Sequence, residues 1–60
     1  MHIIEAQRAA SRVYLDLRGW TDQRMQAHRF ADIQTAMLVM AALQSEFRAL
    51  EFDQVIVVEA

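Results

Sequence analysis

One glycine, Gly19, and no proline punctuate these sixty residues. From Asp22 to Glu51 nothing stops a helix for thirty positions, and Ala, Gln, Met, Leu and Arg, all good helix formers, dominate. The sequence therefore predicts one helix over about Asp22–Glu51. Thr21 is its expected N-cap, and Asp22 stands in the first turn, where the helix dipole favours an anion. At 100° per residue one side collects Met25, Phe30, Ile33, Met37, Val39, Met40, Leu43, Phe47 and Leu50, an apolar stripe suited to lying on a sheet. The other side collects Ala27, Ala31, Leu38, Ala42, Ser45 and Ala49. Small residues let two helix backbones approach closely, so this stripe reads as a helix–helix seam.

Such a helix would run about 45 Å. A sixty-residue globule has a radius of gyration near 10 Å and a diameter of about 27 Å. The helix must break, with Ala27–Arg29 as the candidate place, or a second subunit must cover the overhang.

Strands are expected at both ends. Val55, Ile56, Val57 and Val58 are consecutive β-branched residues, apolar on both faces. Residues 12–18 alternate: Val13, Leu15 and Leu17 face one way, Tyr14, Asp16 and Arg18 the other. His2–Glu5 reads as a strand that pairs with this one, with Arg8–Ser11 as the turn. A helix is the rival reading, since Ile3, Ala6, Ala10, Val13, Leu17 and Trp20 fall at heptad spacing. The hairpin gives the C-terminal strand a neighbour and is preferred. The expected fold is a single α+β domain over residues 1–60, a short antiparallel β-β-α-β sheet packed on one long helix, as a homodimer. The alternative is mostly α, a two-helix hairpin with a C-terminal strand.

A chain of this length is marginal alone. It has no cysteine, which removes disulfides and thiolate sites. Association is the remaining remedy, and 55% hydrophobic composition argues against disorder. The longest apolar run, Ala36–Leu43, is too short to span a bilayer. No basic stretch leads into an apolar segment at the N-terminus, so a cytoplasmic location without membrane contact is expected. Every basic residue is arginine, a bias expected of a GC-rich bacterial or phage genome.

Little here carries chemistry. One glycine cannot build a phosphate-cradling loop. His28 and Asp32, at i and i+4, supply two metal ligands where a catalytic zinc needs three. No nucleophile sits on a recognisable elbow, and a core this small leaves no room for a substrate pocket. We expect no enzyme activity, cofactor, metal or small-molecule substrate. Trp20 at the corner is expected to close the core, and the methionines to fill it.

Charge is uneven. Residues 1–30 hold five Arg against Glu5, Asp16 and Asp22, a balance of +2; residues 31–60 hold Arg48 against Asp32, Glu46, Glu51, Asp53 and Glu59, a balance of −4. Glu46, Glu51, Asp53 and Glu59 are therefore candidate partner-binding residues, steering the chain toward a basic surface. Ala31, Leu38, Ala42, Ser45, Ala49, Val55 and Val57 are the candidate dimer interface. The expected function is a small dimeric, non-enzymatic protein-interaction module, an adaptor or inhibitor that docks on a larger, possibly host, protein. A first alternative is a dimeric DNA-binding regulator that reads nucleic acid with Arg12, Tyr14 and Arg18. That ribbon resembles the one in ribbon-helix-helix repressors, although this chain shows no turn between two helices and ends on a strand. A structural subunit of a larger assembly is the second alternative.

Overall fold

A computed structural model describes residues 1–60. The elements run β1 (His2–Arg8), β2 (Ser11–Asp16), β3 (Gly19–Thr21), a 3-10 turn (Arg24–Gln26), α1 (Ile33–Ala42), α2 (Gln44–Ala49) and β4 (Gln54–Glu59). The four strands form one antiparallel sheet in the order β3-β2-β1-β4. The fold is thus α+β, and the N-terminal hairpin is present with Arg8 opposite Ser11. The helical alternative for residues 1–18 is excluded. So is a ribbon-helix-helix arrangement, because these strands pair within one chain.

Alternation explains the core. Ile4, Leu15, Trp20, Val55 and Val57 point to one face, where Phe30, Ala36, Val39 and Met40 pack on them. Ile3, Tyr14 and Val58 point to the other, closed by Ala27 from the segment after the 3-10 turn. The central strand is therefore covered on both sides, which is how adjacent Ile3 and Ile4 are both wholly buried.

The long helix is corrected. Residues 22–32 are not part of it, and what remains is two short helices that break at Leu43 (φ −100°, ψ 13°). Asp32 is the N-cap, its side chain accepting from the Gln34 N–H at 3.0 Å. Thr21 instead accepts the Gln23 N–H within its own turn. The cause of the break is topological. The β1–β2 ladder ends at Glu5–Tyr14, and beyond it the strands take another partner. His2 and Phe30 exchange backbone bonds of 2.8 and 2.7 Å, and the His28 N–H donates to the Leu15 carbonyl at 2.8 Å. Residues 28–30 thus lie between the splayed ends of β1 and β2, carrying the chain from one sheet face to the other. Backbone bonded to strands on both sides cannot also make helical bonds.

With the helix broken, nothing overhangs. The radius of gyration is 10.4 Å and the molecule measures 28 × 22 × 19 Å.

Candidate functional site

Titratable side chains do not gather into a reactive centre. No three of His, Asp and Glu converge as metal ligands. His28 lies outside any helix, edge-on to Phe30 with ring centroids 4.6 Å apart, and Asp32 is occupied as a cap. The largest hollow, about 410 Å³, is an open depression lined by Asp16, Leu17, Arg18 and Gln26. Smaller clefts lie beside Phe52 (about 230 Å³) and on the open sheet face among Glu5, Gln7, Arg12, Gln54 and Ile56 (about 140 Å³).

The distinctive surface is apolar. α1, Ile33–Ala42, contains no charged residue. Ala36, Val39 and Met40 face the sheet, while Ile33 (46% exposed), Met37 (58%) and Leu38 (71%) face solvent. An ordinary surface helix carries charge on its outer side; here the only polar side chains are the uncharged, exposed Gln34 and Thr35. Ala31, Ala42, Ser45 and Ala49 are also exposed, so the helical part of the expected seam is open surface.

Val55 and Val57 are half-buried, and their side chains pack under α1 against Ile4. Their backbone is another matter, because β4 is an edge strand. The Ala60 N–H donates to the Met1 carbonyl at 2.9 Å, which fixes the phase of the β1–β4 ladder. Bonded pairs alternate in an antiparallel ladder, so Ile56 and Val58 bond to β1, and the backbone groups of Val55, Val57 and Glu59 point out from the edge. The Glu59 carbonyl accepts from Arg24 Nη2 at 2.6 Å.

The acidic set does not form one patch. Glu51 and Asp53 precede β4 and Glu59 ends it, about 20 Å from Asp53 along the strand. Asp53 Oδ2 accepts the Ala9 N–H at 2.8 Å, and Glu46 Oε1 accepts Trp20 Nε1–H at 3.4 Å. The nucleic-acid set is also divided. Arg12 and Arg18 are exposed, but Tyr14 is 8% exposed, in the core cluster beside Ala27 with the Arg24 guanidinium 5.8 Å from its ring centre. Arg24 also pairs with Glu5 at 3.7 Å.

Two expectations about large side chains fared differently. Trp20 does close the core, edge-on to Phe52 and Phe47 at 4.8 and 5.8 Å. Of the stripe methionines only Met40 packs inward, and Met25 is 85% exposed. Four β-branched residues apolar on both faces predict a strand that sits centrally or in an interface; β4 lies at the sheet edge with one neighbour in the chain.

No protein-family model, no curated protein and no solved structure matches the chain.

Proposed function

We propose that this chain is a non-enzymatic protein-interaction module that self-associates and docks on a larger protein through the outer surface of α1 and α2. One observation carries the reading: ten successive helical positions without a charge leave Ile33, Met37 and Leu38 in water. Leu38 and Ala42 on α1 and Ser45 and Ala49 on α2 are exposed and uncharged, and Glu46 on α2 offers a charge for a basic rim. DNA reading is the weaker function, since the burial of Tyr14 leaves Arg12 and Arg18 without the aromatic side chain that was to act with them.

The test compares wild type with Leu38→Glu, a substitution at an exposed position that leaves the core intact. Quantitative capture at low salt should recover a stoichiometric partner with wild type and lose it with the variant. Equal recovery with both chains would overturn the assignment of this surface.

A further inference from the structure

We propose that two copies of this chain join antiparallel through the free edge of β4, with Val57 on the two-fold axis, so that their sheets merge and the Ile33–Met37 flanks of the two α1 helices meet over the join. The proposal rests on the self-association reading above and specifies its geometry.

An unpaired edge is a standing invitation to another strand, and proteins usually blunt it with lysine, proline, a bulge or short length. The opposite edge of this sheet is β3, three residues long. β4 has six, Gln54–Glu59, with no proline, no lysine and a single charge at its far end. Its ladder to β1 is regular from Gln54 to Glu59. The outward groups of Val55 and Val57 and the Glu59 N–H are therefore in phase to receive a strand, while the Glu59 carbonyl, which accepts from Arg24 Nη2 at 2.6 Å, joins the pairing only by sharing or releasing that bond.

Charge selects the register. A two-fold axis perpendicular to the sheet keeps helix-side residues on the helix side, so outward-bonding residues pair with one another. An axis at Ile56 sets Asp53 opposite Glu59 twice, and like charges directly opposed are destabilising. An axis at Val57 pairs Val57 with itself and Val55 with Glu59, and on the open face sets Ile56 beside Val58. No acidic side chain then faces another.

The helices complete the join. α1 lies over β1 and β4, and runs from the Phe30–His2 end of the sheet toward the Gln7–Asp53 end. With Ala36, Val39 and Met40 facing down, the right-handed advance of the helix puts Ile33 and Met37 on the side toward the β4 edge. These two exposed side chains project where the partner's pair would stand. The strand join is about 20 Å long. With the helix flanks it covers several hundred Å² per copy, below the roughly 800 Å² of a standard interface. The expected dimer is correspondingly of micromolar strength.

Amide hydrogen exchange on the full chain, followed by NMR at low and high concentration, tests this directly. At low concentration Ile56 and Val58 should be protected by β1 while Val55, Val57 and Glu59 exchange fast. At high concentration the latter three should slow about tenfold or more as dimer forms. A synthetic chain with N-methyl-Val57, whose methyl points away from β1, should stay monomeric by sedimentation equilibrium. Met37→Glu, which leaves β4 untouched, should weaken the dimer without unfolding the chain. A dimer in which the Val55 and Val57 amides stay fast would overturn edge pairing while leaving self-association intact. A monomer at every concentration would overturn both.

Discussion

Two residues hold the backbone where glycine is the natural choice. Glu51 has φ 59° and Ala9 φ 54°. Glu51 follows α2 in a Schellman arrangement: the Phe52 N–H donates to the Phe47 carbonyl at 3.2 Å and the Glu51 N–H to the Arg48 carbonyl at 3.1 Å. Phe47 and Phe52 lie 6.2 Å apart by ring centre, the apolar contact that accompanies this cap. The left-handed conformation costs a side-chain-bearing residue roughly 1–2 kcal/mol, and glycine gives back about half of that through its freer unfolded chain. Glu51→Gly should therefore stabilise the fold by about 0.5–1 kcal/mol, raising Tm by roughly 4–8 °C. Ala9→Gly in the two-residue β1–β2 turn should act in the same direction. Calorimetry of each variant checks this, and an unchanged or lower Tm for both would show that the strain is absent.

At the scale of elements, the sequence was readable where neighbours in the chain decide the outcome. The alternation of Val13 and Leu15 against Tyr14 and Asp16 gave the β2 strand, although Leu17 lies past its end in the turn and is exposed, and the β-branched run gave β4. The end of the helical region near Glu51 was also legible. The stretch Arg24–Ala31 was legible as the place where the helix could break, at Ala27–Arg29, but not in the path it takes. Its residues favour helix, but His2 and Leu15 claim the backbone of His28 and Phe30, partners more than ten positions away that no local pattern announces. The proposed interaction surface divides in the same way. The exposed seam residues Leu38 and Ala42 followed from helical spacing, whereas the edge position of β4 depends on strand order, which periodicity does not encode. Once the helix starts this late, its start depends on Asp32. Asp32→Ala removes the acceptor of the Gln34 N–H and should cost about 1 kcal/mol. Urea unfolding should show it as a lower midpoint with an unchanged slope. A midpoint equal to wild type would mean that packing of Ala36 alone starts the helix.

For the molecule as a whole, shape no longer demands a second subunit. The accessible surface is 4312 Å², close to the roughly 4,000 Å² of a compact monomer of this mass. What argues for association is where apolar surface lies, not how much there is. Ile33, Met37 and Leu38 share one helix, and the flank holding the first two overlooks an unblunted strand edge. A folded dimer in equilibrium with unfolded monomers is stabilised by mass action, so its thermal midpoint depends on concentration. Each tenfold rise in concentration adds about 1.4 kcal/mol per dimer. Two sixty-residue chains unfold with an entropy of about 0.25 kcal/mol/K. Tm should therefore climb by roughly 5 °C per decade of concentration above the dissociation constant. In Met37→Glu this slope should begin only at higher concentration, because the variant weakens the join and spares the core. Differential scanning calorimetry across two decades reads both effects. A wild-type Tm that stays level over that range identifies a chain that folds and works alone.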